Sequence, residues 1–113
     1  MKYVIRGDKI LVTKAIKSYI MEKIEKLSKY FEKPNEVTAN VLIKVKGHDQ
    51  TIEVTIPTSN FTIRSEESAE DLYAAIDKVV DKIERQIRKN KTKINKIEKG
   101  LAKKIDFIFF EEE

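Results

Sequence analysis

The chain has 113 residues, enough for one domain with a modest core, and 41% of them are hydrophobic. Charged residues make up 37%, against roughly 25% in ordinary globular domains, so the surface must be very ionic although the net charge is only +4. The complete lack of cysteine removes disulfides, thiolate metal sites and thiol nucleophiles together.

The opening MKYVIRGDKI has no apolar h-region, so no secretory signal is expected, and no apolar run approaches membrane-spanning length. Residues 2–6 read as a short strand closed by Gly7-Asp8. Thr13 is the expected N-cap of a helix reaching about Phe31. Ile16, Ile20, Ile24, Leu27 and Phe31 form its apolar stripe, and Pro34-Asn35 ends it.

From Glu36 the period changes to two. Val37, Ala39, Val41, Ile43 and Val45 alternate with Thr38, Asn40, Leu42, Lys44 and Lys46. After a turn at Gly47-His48-Asp49, Ile52, Val54 and Ile56 alternate with Thr51, Glu53 and Thr55. A second turn at 57–60 leads to a third run, Phe61, Ile63 and Ser65 against Thr62 and Arg64. Short connections predict an antiparallel meander with one wet face and one face covered by the helices.

Ser68 is the expected cap of a long second helix, with Asp71 in capping-box position and the end near Lys93. At about 100° per residue, Leu72, Ile76, Val79, Ile83 and Ile87 share one side. Lys78, Lys82, Arg85 and Lys89 form a second stripe spanning roughly 16 Å, while Glu70, Asp77, Asp81 and Glu84 fall on a third side expected to face solvent. The fold class is therefore α+β: a two-layer β-α-β-β-β-α domain, a four-stranded sheet with both helices on one face. The first strand must join through a right-handed crossover.

Charge is unevenly distributed. Residues 82–104 carry ten cations against Glu84 and Glu98, a net of +8, whereas residues 106–113 carry four acids and no base. A basic segment on a helix with sorted charges points to an anionic partner, most often nucleic acid. Residues 94–113 lose the helical pattern and read as a linker or tail, with an apolar cluster at Ile105 and Phe107–Phe110. That cluster could be a docking patch, a lattice contact or a disordered tail.

The order of elements, the segment Lys26-Leu27-Ser28-Lys29-Tyr30-Phe31, and above all Asp71-Leu72-Tyr73-Ala74-Ala75-Ile76-Asp77 followed by Lys82-Ile83-Glu84-Arg85-Gln86-Ile87, resemble the ribosome hibernation promoting factor family, also called ribosome-associated translation inhibitors. The resemblance covers about residues 2–93, so residues 1–93 are expected to be a ribosome-binding domain. It implies a fold similar to a double-stranded-RNA-binding domain and a bacterial cytoplasmic protein. It further implies a seat in the decoding channel of the small ribosomal subunit in starved or stationary cells. The rRNA contacts it implies are Lys23, Lys26 and Lys29 on the first helix and Lys82, Arg85 and Lys89 on the second; Lys78, Arg88 and Lys93 are added from the stripe geometry. Long members of the family continue into a ribosome-dimerising domain that this chain lacks. The chain reads either as a short form with an unusual tail or as a long form cut inside its linker; the acidic-aromatic tail favours the second, so pairing of ribosomes is not expected of this chain.

Folded RNA is read mainly through shape and phosphate, which asks for cations at fixed spacing on a rigid scaffold. If six cations each neutralise one phosphate, affinity should fall with about the fourth to fifth power of salt concentration. Silencing would then be steric and reversible, with no cofactor, no metal and no catalytic residue. One histidine, His48 in a turn, and glycines only at 7, 47 and 100 support neither a metal pair nor a phosphate loop. Tyr73 is expected at the helix–sheet junction, and Tyr19 and Tyr30 at the core edge. Two other readings remain: a generic structured-RNA binder, or a protein-interaction module using its exposed sheet or aromatic tail.

Overall fold

A computed structural model describes residues 1–58, 61–91 and, for the backbone alone, 107–109. The elements in chain order are β1 (Lys2–Gly7), α1 (Lys14–Glu25) with a 3-10 extension at Lys26–Tyr30, a 3-10 turn at Pro34–Glu36, β2 (Thr38–Lys46), β3 (Asp49–Pro57), β4 (Phe61–Ala69), α2 (Leu72–Lys89) and β5 (Phe107–Phe109). The sheet order is β1-β2-β3-β4-β5, with β1 parallel to β2 and the next two pairings antiparallel. This is the expected mixed four-stranded sheet under two helices, extended at the β4 edge by three residues that pair in parallel with Phe61–Ile63. The rest of 94–113, expected as linker or tail, lies outside the described residues.

Local chemistry explains the elements. The Thr13 hydroxyl accepts from the Ile16 amide at 3.2 Å and opens α1. Gly47 takes φ 62° at the β2–β3 turn, in the left-handed region that glycine enters without steric cost. Gly7 permits a close approach at the end of β1: a Cβ there would stand 2.3 Å from the Ile10 carbonyl oxygen.

Three expectations are corrected. β4 runs on to Ala69, because Gln50–Glu53 of β3 offer a ladder to Glu66–Ala69. The Ser68 hydroxyl is therefore spent in the sheet, 2.8 Å from that of Thr51, and the cap of α2 is Asp71, whose carboxylate accepts from the Tyr73 amide at 3.2 Å. α2 ends at Lys89 rather than near Lys93, where the Asn90 side chain donates to the Gln86 carbonyl at 2.8 Å.

The core lies between the layers. Ala39, Val41 and Ile43, Ile52, Val54 and Ile56, and Phe61 and Ile63 point from the sheet toward Ile20, Ile24 and Leu27 of the first helical segment and Leu72, Ile76, Val79, Ile83 and Ile87 of α2. Every apolar position named from the period-two pattern of the middle two strands is buried except Val45, which is half exposed near the turn. The opposite sheet face is mostly polar, with Val4 exposed and Leu42 half-buried on it. Glu53 and Glu66 face each other across β3–β4, a like-charge pair that would repel if bare. Lys44 lies 3.9 Å from Glu53 and 3.5 Å from Glu66, Lys46 lies 3.3 Å from Glu66, and Arg64 lies 3.8 Å from Glu53. Burial acts to raise the Glu66 carboxyl, but Lys46 and Lys44 outweigh it and hold the group below its ordinary value.

Candidate nucleic-acid interface

The candidate cations lie on the helical layer, around α2. α2 supplies a run of more than four turns, packed onto the sheet by its apolar stripe, so its charged flanks are fixed by the core. Each flank meets a different neighbour.

On one flank α2 faces α1 and its 3-10 extension. The Tyr19 hydroxyl donates to Asp77 at 2.7 Å, and the Lys23 ammonium stands 3.6 Å from the same carboxylate oxygen and 5.3 Å from the Tyr19 ring centre. Seven residues further along α2 the arrangement repeats. Tyr30 donates to Glu84 at 2.9 Å, Lys29 lies 3.8 Å from Glu84 and 5.2 Å from the Tyr30 ring centre. Arg88 joins this second cluster, donating from Nε to the Tyr30 oxygen at 3.2 Å and approaching Glu84 within 3.7 Å. The hydrogen bond to Asp77, aided by burial, raises the Tyr19 hydroxyl above its ordinary value. Lys23 is raised by Tyr19 and Asp77, and Arg88 by its hydrogen bond to Tyr30, so both cations stay charged across the physiological range.

On the other flank α2 meets the end of β4. Lys78 donates to the Ser68 carbonyl at 3.2 Å, and Lys82 forms an ion pair with Glu67, whose side chain is 17% exposed. Arg85 and Lys89 continue along the helix in exposed positions.

The nine expected contacts therefore divide. Lys23, Lys29 and Arg88 line the crevice between the helices, Lys78 and Lys82 follow the β4 side, and Arg85 and Lys89 sit on the exposed surface of α2. Lys26 is exposed at the start of the 3-10 extension, and Lys93 lies outside the described residues.

Two sequence expectations need correction at this surface. Asp77 and Glu84 do not simply face water; they hold the crevice together. The i, i+7 spacing of these acids, matched by Tyr19/Lys23 and Lys29/Tyr30 on the other helix, was the available signal. Tyr73 packs edge-on against Tyr19, ring centres 4.9 Å apart, at the helix–helix contact rather than the helix–sheet junction. Among the described residues no group of His, Cys, Asp and Glu is arranged to hold a metal ion, and no helix is long and apolar enough to cross a membrane.

Comparison with known proteins gives concordant results. The profile of the family described as "Sigma 54 modulation protein / S30EA ribosomal protein" matches residues 3–95. The chain is 47% identical over 97 residues to a ribosome hibernation promotion factor of Lactococcus lactis subsp. cremoris, covering 85% of this chain and 52% of the relative. A protein of the same name from Staphylococcus aureus is also 47% identical over 97 residues, with 85% and 51% covered. The chain thus spans about half the length of these curated relatives. Among solved structures, the Thermus thermophilus Protein Y N-terminal domain superimposes with a TM-score of 0.71 at 31% identity, covering 79% of this chain and 98% of that one. A ribosomal subunit interface protein from Coxiella burnetii gives 0.72 at 16% identity, covering 81% and 99%, and shows the shared fold.

Proposed function

The chain belongs to the sigma 54 modulation protein / S30EA ribosomal protein family, and from that premise we propose that it is a ribosome hibernation factor whose helical surface binds rRNA of the small subunit in the decoding channel. The observation that carries this reading is the 47% identity over 97 residues to proteins named for ribosome hibernation, beside a family match over residues 3–95 that takes in both helices. The geometry supports it: cations from α1, its 3-10 extension and α2 lie on one layer of the molecule, on a scaffold set by a shared core. Arg85 can grip a phosphate with two parallel hydrogen bonds, and the lysines act as point charges. A body of this size in the channel excludes mRNA and tRNA by volume, so inhibition is reversible and needs no bond chemistry. The setting is the cytoplasm, where ribosomes are. On this reading residues 1–93 form the ribosome-binding unit, and 94–113 are linker or tail apart from the three residues of β5.

The test is co-sedimentation with purified small subunits together with cell-free translation. The chain is expected to silence translation without pairing ribosomes. The triple variant Lys82→Glu, Arg85→Glu, Lys89→Glu is expected to weaken binding by more than about tenfold while keeping its fold, since each site loses an attraction and gains a repulsion. Undiminished co-sedimentation of a folded triple variant would refute the site. Equal affinity at matched salt for small subunits and for free duplex RNA would instead favour a generic structured-RNA binder.

A further inference from the structure

Several cations of the candidate interface already hold an anion. Lys23 and Lys29 stand 3.6 and 3.8 Å from carboxylate oxygens of Asp77 and Glu84, Arg88 stands 3.7 Å from Glu84, and Lys82 is paired with Glu67. In each case a carboxylate oxygen already lies within ion-pair range of a cation that an RNA phosphate would have to approach. We propose that Asp77, Glu84 and Glu67 set affinity and selectivity as resident anions, which RNA phosphates must displace from Lys23, Lys29, Arg88 and Lys82. The proposal rests on the reading of these cations as RNA contacts.

The crevice is built to survive the exchange. Asp77 keeps its hydrogen bond from Tyr19 and Glu84 keeps that from Tyr30 when their cations leave. Asp77 is 48% exposed, so water can solvate the vacated carboxylate oxygens. The tyrosine rings beneath Lys23 and Lys29 keep both ammonium groups near the crevice rather than dispersed in solvent.

Two consequences follow from exchange as opposed to simple attraction. A single phosphate gains little, because one ion pair is traded for another. A rigid fold that presents phosphates to several of these cations together gains more, so the carboxylates act against weak, flexible polyanions. Each freed carboxylate also draws solution cations back toward itself. Binding then releases fewer ions per contact, and the salt dependence is shallower than the number of contacts implies.

The experiment compares Asp77→Asn and Glu84→Gln with the unaltered chain on a synthetic RNA duplex and on single-stranded poly(A) through a salt series. Both substitutions keep an oxygen to accept from the tyrosine. Asp81→Asn is the charge-matched control, because Asp81 is exposed on the same helix and makes no ion pair among the described residues. Each crevice variant is expected to bind duplex about two- to five-fold more tightly than the control, the scale of one exposed ion pair. Its salt slope is expected to steepen and its preference for duplex over poly(A) to narrow. Tightening no greater than in Asp81→Asn, or an unchanged slope, overturns the proposal. Should a crevice variant fail to melt as a folded protein, Glu67→Gln answers the same question at Lys82 by the same criteria. Ribosome co-sedimentation alongside separates the two ideas. A chain that ignores ribosomes yet shows the duplex effects loses the functional reading alone, and a ribosome binder whose crevice variants match the control loses the exchange alone.

Discussion

Glu66 shows how a single side chain on this surface is tuned by its neighbours. It faces Glu53 across the strands, yet its carboxyl is held below the ordinary value of 4.5 by Lys46 and Lys44. A group depressed by folding contributes stability in full above its unfolded value and loses that contribution as pH falls through the folded value. Acidification below about pH 4.5 should therefore weaken the fold in part through this residue. Glu66→Gln is expected to flatten that part of the acid limb, read as a smaller change in urea midpoint between about pH 5 and pH 3. The effect should be modest, because the side chain is 41% exposed and solvent screens its ion pairs.

Among the elements, α2 carries the most consequence, and its start is the place where pattern and structure parted. Ser68 and Asp71 both satisfy the residue preferences of a cap. The competition is decided by tertiary pairing, since the β3 ladder claims Ser68 and leaves Asp71 to hold the first amides. Asp71→Ala is expected to cost about 0.5–2 kcal/mol in chemical denaturation, and Ser68→Ala about 1–3 kcal/mol, since it strands the fully buried Thr51 hydroxyl. The apolar stripe Leu72, Ile76, Val79, Ile83 and Ile87 was legible from period alone, because burial on one side of a helix leaves a direct imprint on sequence. The roles of Asp77 and Glu84 were not. A carboxylate facing solvent and a carboxylate facing a neighbouring helix's tyrosine and lysine look the same until the packing angle between helices is known. The sorting of charge on α2 thus has a structural cause as well as the binding role proposed for it, since its acidic side is the side that meets α1.

For the molecule as a whole, one core ties both helices to the sheet, and Ile83 lies fully buried within it. Ile83→Ala is expected to lower global stability by about 2–5 kcal/mol, with a single cooperative transition retained in thermal and urea unfolding. Loss of one helix ahead of the sheet would contradict a shared core. The layer arrangement was legible because strand and helix periods alternate cleanly along the chain. The fifth strand was not, because three residues of an apolar cluster carry no period to read.

The placement of β1 has a bearing on how the molecule is made. Short turns join β2 to β3 and β3 to β4, but α1 and its extension separate Lys2–Gly7 from Thr38–Ile43, so the first strand must wait for these to emerge before it has a partner. During synthesis the first strand therefore leaves the exit tunnel unpaired, and the crossover closes only when the second has followed it out. Such non-local closure slows folding relative to hairpin formation. A chain proposed to still the ribosome thus has its own first strand waiting on that machine to deliver residues 38–43.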